Sequence, residues 1–216
     1  MVTDATSQAQ ADWYRQHAPR LEGDAIDLQA LFGGKQKVEL DLGFGRGHSL
    51  FTRLAQAPDS CLLGVEVKTK WVCKVHARKE ALNLHQLQVC AADARQLLPR
   101  LQPAGIVSHC FIHFPDPWWK KRHAKRTVIQ TPLLDALARL LAPGGVLFIQ
   151  TDVEMRAQEH QALLAAHPAF ALAAGGAGFV SENPFGSVSN REVRAAADGL
   201  PVWRLLSHRV VTAPAR

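Results

Sequence analysis

The sequence predicts an α/β fold with a mostly parallel central sheet and helices on both faces. Two observations carry that expectation. Short apolar runs alternate with segments of helical periodicity between residues 37 and 151, and most runs end at a glycine or a carboxylate. Strands separated by a helix-length segment pair in parallel, because only a crossover connection returns the chain in the same direction.

The elements follow in order. Residues 37–43 (KVELDLG) read as a first buried strand entering a glycine loop, and 48–56 as the helix after it. Residues 61–67 (CLLGVEV) form a second strand, followed by a long amphipathic helix over 70–84. A third strand spans 87–92 and stops at Asp93; a fourth spans 106–114 and enters Pro115-Asp116-Pro117. Helical spacing over 128–141 predicts a helix terminated by Pro143-Gly144-Gly145. A fifth strand over 146–151 ends near Asp152, 171–178 reads as a turn region, 181–200 as a polar loop and 201–211 as a last strand. Residues 1–30 read as a partly flexible N-terminal extension and 31–216 as a single domain.

Composition narrows the partners. The formal net charge is +6, and five cations fall between Lys120 and Arg126, so the excess is local and points to a polyanion. No apolar run approaches the roughly 18 residues of a membrane helix, and the N-terminus lacks a signal-peptide core. Cys61, Cys73, Cys90 and Cys110 form no CxxC pair, which argues against a zinc site and for buried, reduced thiols. No metal, no membrane and a cytoplasmic location are expected.

Asp41, Glu66, Asp93, Asp116 and Asp152 each fall at or just past the carboxyl end of a predicted strand. Singly, each reads as a cap or turn former. Together they line one rim, the edge at which open parallel sheets bind ligands. Between the first strand and its helix, glycines occupy 43, 45 and 47, and His48 stands where a dinucleotide fingerprint requires a small residue. G-x-G-x-G looks like the S-adenosylmethionine (SAM) loop of Rossmann-like methyltransferases, which bind no pyrophosphate. In that frame Gly43 and Gly45 face the cofactor, Glu66 accepts from the ribose hydroxyls and Asp93 from the adenine amine. Asp41 orients the loop or meets the methionine ammonium.

The remaining feature is Phe114-Pro115-Asp116-Pro117-Trp118-Trp119-Lys120-Lys121-Arg122-His123-Ala124-Lys125-Arg126. One carboxylate held between prolines precedes two tryptophans and a run of cations. Trp118 and Trp119 read as one buried and one accessible ring, and His113 packs near the end of the fourth strand.

Taken with Asp41–Gly45, Gly64–Val67, Asp93-Ala94 and Gly144–Asp152, this segment closely resembles the bacterial tRNA (guanine-N7-)-methyltransferases. The resemblance implies a class I SAM-dependent methyltransferase that modifies nitrogen-7 of guanine, at nucleotide 46 of the tRNA variable loop. It implies that Asp41, Glu66, Asp93 and Asp116 contact SAM and that Asp116 is also catalytic. Lys120 and Asp152 would touch the target nucleotide, while Arg122, His123, Lys125 and Arg126 would hold RNA. Ser189 and Glu192 fall in register with a C-terminal substrate-binding signature that is otherwise eroded, Arg191 standing where the family has Phe. Either a monomer or a homodimer agrees with the resemblance. Another RNA or a protein as acceptor, or a non-catalytic RNA-binding relative, are the competing expectations.

Overall fold

The computed structural model describes residues 2–34, 37–116 and 127–211, with backbone alone for residues 2–6 and 174. Helix α1 (Val2–His17) leads to a two-residue strand β1 (Ile26–Asp27) and a single turn α2 (Leu28–Leu31). The alternation follows: β2 (Val38–Leu42), α3 (His48–Gln56), β3 (Cys61–Glu66), α4 (Thr69–Ala81), β4 (Leu87–Ala91), α5 (Ala94–Leu97). A 3₁₀ turn then precedes β5 (Leu101–Gln102) and β6 (Val107–His113). The C-terminal part comprises α6 (Thr131–Leu140), β7 (Leu141–Thr151), α7 (Glu154–Ala166), β8 (Phe170–Leu172), β9 (Phe179–Val180), α8 (Asn190–Ala197) and β10 (Trp203–Arg209).

The main sheet runs β4-β3-β2-β6-β7-β10-β8, with β9 also paired to β10. β4, β3, β2, β6 and β7 are mutually parallel, whereas β10 runs antiparallel to β7. The chain leaves β2 on one side for β3 and β4, then crosses to the other side for β6. The carboxyl ends of β2 and β6 therefore diverge into a crevice, the place where such sheets bind ligands.

Side-chain alternation splits the sheet into two unlike faces. On one face, Leu40, Leu63, Cys90, Ile112 and Ile149 meet Leu97, Leu134 and Leu164 in a wholly apolar layer. The other face is covered by α3, α4 and α8, and carries Glu39, Asp41, Glu66, His109, His113 and Gln150 between its apolar residues. Only the second face can supply chemistry. Its polar groups are held by partners: Arg53 of α3 donates from Nε and Nη2 to the two Glu39 oxygens (2.7 and 2.6 Å), and Ser60 Oγ adds a third bond (2.9 Å). Arg53 Nη1 also donates to the Phe185 carbonyl (2.9 Å), tying α3 to the C-terminal segment.

Two sequence-based expectations change, and one small sheet goes unread in the sequence. Pro143-Gly144-Gly145 does not terminate the helix: α6 ends at Leu140, and the proline and glycines lie inside β7. They form an irregularity where the β6 register shifts between Val107 and His109, with Gly144 at φ +75° supplying the left-handed turn. The polar stretch 181–200 contains α8, started by Ser189, whose hydroxyl accepts from the Glu192 amide (3.1 Å). Strands β1 and β5, too short to show periodicity, pair in a small parallel sheet of their own.

In the N-terminal segment, Tyr14 of α1 packs against the cluster under α4, where its carbonyl accepts from Cys73 Sγ (3.6 Å). Farther on, the Pro19 carbonyl accepts from the Ala91 amide at the end of β4 (2.7 Å). All four cysteines are buried, and none is joined in a disulfide. Burial pushes the Cys90 thiol up to about 12 and raises Cys73 and Cys110 as well.

Candidate active site

A cavity of about 1050 Å³ opens at the carboxyl edge of the sheet. One end is walled by the glycine loop, Glu66 and Asp93, the other by His113, Asp116, Asp152 and the start of α8.

The first end is built on the backbone. Gly43 and Gly45 adopt φ +82° and +56°, and a Cβ added at either would meet nothing within 4 Å, so the space a side chain would fill stays open at both. Gly47 differs: its Cβ would strike Val75 Cγ2 at 2.5 Å, so it is glycine for packing α3 against α4. Glu66 Oε2 accepts from the Gly45 amide and Oε1 from the Lys68 amide, each at 2.9 Å. The carboxylate is thus fixed by main chain on both sides, and each oxygen keeps acceptor capacity for hydroxyls. Asp93 caps α5 through the Arg95 amide (2.9 Å), and Arg95 Nε closes on the same carboxylate (3.0 Å). That guanidinium holds Asp93 below the usual carboxylate range.

Asp41 lies beneath the floor and is fully buried. Ser49, which lines the cavity, donates to its Oδ2 (2.6 Å), whereas Oδ1 has no partner. Burial raises its pKa, opposed by nearby His113 and the Ser49 bond. An unpaired buried carboxylate oxygen is costly.

The second end is built from side chains. Phe114 donates its amide to the Gln150 carbonyl (2.7 Å) and takes φ +49°, a left-handed conformation rare for a bulky residue. This turn carries Pro115 and Asp116 into the cavity wall, where Asp116 is exposed. Asp152 accepts from Arg191 Nε at 2.8 Å and from Arg191 Nη2, so an ion pair joins the end of β7 to the start of α8. Ser189 lines the cavity. Glu192 points the other way, engaged by Gln150 Nε2 (2.8 Å) and Arg204 Nη2 (3.1 Å).

That buried network orients His113. Glu192 only accepts, so the Gln150 amide nitrogen faces it and Gln150 Oε1 faces His113 Nδ1 (2.6 Å), which must therefore carry the proton. His113 Nε2 meets Ser187 Oγ at 3.0 Å.

Of the sequence-based site residues, the fold brings Gly43, Gly45, Glu66, Asp93, Asp116, Asp152 and Ser189 into one cavity and sets Asp41 and Glu192 just behind it. Trp118, Trp119, Lys120, Lys121, Arg122, His123, Lys125 and Arg126 lie outside the described residues. Ser49 and Arg95 join the site without being marked by the sequence pattern, as do Arg191 and Arg194, which the sequence places only within the eroded C-terminal signature. Only for α8 does a signal exist: Ser189-Asn190-Arg191-Glu192 has the S-x-x-E spacing of a helix start. Among the described residues no group of three or more His, Cys, Asp or Glu could hold a metal ion, and no helix is long and apolar enough to cross a membrane.

Comparison with known proteins agrees with this geometry. The family model described as "Putative methyltransferase" matches residues 35–205. The chain is 39% identical over 189 residues to the tRNA (guanine-N(7)-)-methyltransferase of Anaeromyxobacter dehalogenans, covering 87% of this chain and 94% of that protein. It is 38% identical over 178 residues to the same-named protein of Trichormus variabilis, covering 81% and 82%. Among solved structures, the 16S rRNA methyltransferase KamB shares the fold with a TM-score of 0.57 at 16% identity, over 90% of this chain and 98% of that one. With the whole cleft falling inside the matched region, the chain belongs to the tRNA (guanine-N(7)-)-methyltransferase family.

Proposed function

We propose that this chain transfers a methyl group from SAM to nitrogen-7 of guanine in tRNA, at nucleotide 46 of the variable loop. The observation that carries the reading is a single cleft with a backbone-fixed, acid-lined cofactor end and a separate acceptor end headed by Asp116. Its placement within a match to relatives named for this reaction supports the choice of acceptor.

Bound at the first end, SAM would supply a methyl group activated by its sulfonium. Glu66 would take the ribose hydroxyls, Asp93 the adenine amine, and Asp41 the ammonium, with Gly43 and Gly45 allowing close approach. Guanine nitrogen-7 presents an in-plane lone pair and no proton, so the chain need supply no base. What it must supply is alignment, which can contribute about 7–11 kcal/mol, and relief for the positive charge that develops on the purine. Asp116 is the group for that relief, and Asp152 and Ser189 would orient the nucleotide. Lys120, Arg122, His123, Lys125 and Arg126 would hold backbone phosphates, and Glu192 would act by holding α8 in place.

In this reading residues 31–216 form the catalytic domain and residues 1–30 an extension to it, working in the cytoplasm. The test is methylation of unmodified tRNA in vitro with the product nucleotide mapped. N7-methylguanosine at position 46 is expected. Methylation elsewhere would support another acceptor, and SAM binding without any RNA methylation would overturn the reading.

A further inference from the structure

A second basic surface stands beside the cleft, carried by α4. Lys70, Lys74 and Arg78 recur every fourth residue, so they form one row, successive members about 6 Å apart along the axis. All three are exposed, as is Arg46 of the glycine loop. Arg46 lies 5.1 Å from the Trp71 ring centroid, and the ammonium groups of Lys70 and Lys74 each lie 5.6 Å from it. Arg78 sits 3.9 Å over the Phe51 ring.

Among the described residues, none of these four cations forms an ion pair with a carboxylate, although the adjacent Lys79 pairs with Glu80 (2.9 Å). Like charges at this spacing on a helix repel, and the two ring faces offset only part of that cost. Such a row gains most from a polyanion whose charges repeat along a line. Arg46 and Lys68 also line the cleft, so the row is continuous with the site.

We propose that this row is an RNA-binding surface which holds backbone phosphates of the tRNA against α4, on the side of the cleft opposite α8. The inference rests on tRNA being the acceptor. The alternative polyanion, an anionic membrane, fits less well: Val72, Cys73 and Val75 of α4 are buried, and the Trp71 ring is covered by cations rather than bare.

The test is the triple variant Lys70→Gln/Lys74→Gln/Arg78→Gln, which leaves Arg46 and Lys68 in place. Its tRNA affinity is measured across a salt series, beside SAM affinity, methylation and thermal midpoint. The slope of log affinity against log salt is expected to fall by about two, at roughly 0.7–0.9 for each phosphate no longer neutralised. KM for tRNA should rise at least tenfold while the SAM Kd stays as in the parent, and Lys→Arg replacements should restore the slope. An unchanged slope in the Gln variant, with the parent methylating tRNA normally, would overturn the surface and leave the proposed reaction standing. A lowered slope with a parent that never methylates guanine would do the reverse. Lost binding to phosphatidylglycerol vesicles with an unchanged RNA slope would reassign the row to a membrane.

Discussion

The two ends of the cleft are made in different ways. At the cofactor end, Glu66 is gripped by two main-chain amides and Asp93 by the amide that starts α5. At the acceptor end, Asp116 is exposed after a left-handed Phe114, and among the described residues Asp152 is held by the side chain of Arg191. Main-chain partners cannot leave without unfolding a loop. Side-chain partners can be exchanged for a substrate's groups at little cost. The first end suits a ligand that is the same in every turnover, the second a macromolecule that must arrive and leave.

Breaking the buried pair that fastens α3 to the sheet and to the C-terminal segment should have the largest effect. Arg53 bonds Glu39 of β2 and the Phe185 carbonyl of the C-terminal segment, so Arg53→Met leaves a buried carboxylate without its guanidinium partner. A stability loss of about 3–5 kcal/mol is expected in denaturant titration; a loss below about 1 kcal/mol would mean the fold does not depend on this pair. The same pair sets an acid limit. Burial alone would raise Glu39, yet the bonds from Arg53 and His109 pull it down to about 2 from 4.5. A depressed carboxylate contributes stability above its unfolded pKa, so that contribution should be complete above pH 4.5 and drain away toward pH 2.

Asp116→Ala tests the acceptor end by itself. Turnover should fall by about 10²–10³-fold, the scale of losing one transition-state charge partner, with SAM affinity in calorimetry nearly unchanged. Equal losses in both would show that Asp116 serves the cofactor instead. Glu66→Gln tests the other end: an amide nitrogen cannot accept the Gly45 or Lys68 N–H. SAM should bind about 10–100-fold more weakly, from 1.5–3 kcal/mol of charged hydrogen bonding, while tRNA affinity stays put.

The mildest case is Arg191→Phe, which uncovers Asp152. The pair is half exposed on the arginine side, so stability should change by about 1 kcal/mol or less. KM for tRNA should shift severalfold with no change in SAM affinity. A parallel fall in SAM binding would mean the two ends are not separable.

The cofactor end is largely legible in the sequence, because its acids stop apolar runs and its glycines demand left-handed backbone. Local pattern and local geometry coincide there. The acceptor end is legible only at Asp116 and Asp152. Helix α8 reads as a loop in sequence since its polar face outweighs its buried residues, Glu192 and Ala195. Arg191 meets Asp152 across 39 residues of chain, a distance no periodicity spans. Pro143-Gly144-Gly145 misleads for a related reason: in sequence it looks like a stop, whereas tertiary pairing with β6 accommodates it as a kink in a strand.

The sealed cysteines have a practical consequence. All four are buried, and burial pushes the Cys73, Cys90 and Cys110 thiols up, Cys90 to about 12, so alkylating dyes should pass over the parent chain. Chemical labelling then needs no prior removal of native thiols. A single cysteine installed at an exposed position such as Arg191 or Lys74 would be the one reactive handle on the molecule. A dye placed there could report, in real time, which side of the cleft a nucleic acid reaches first.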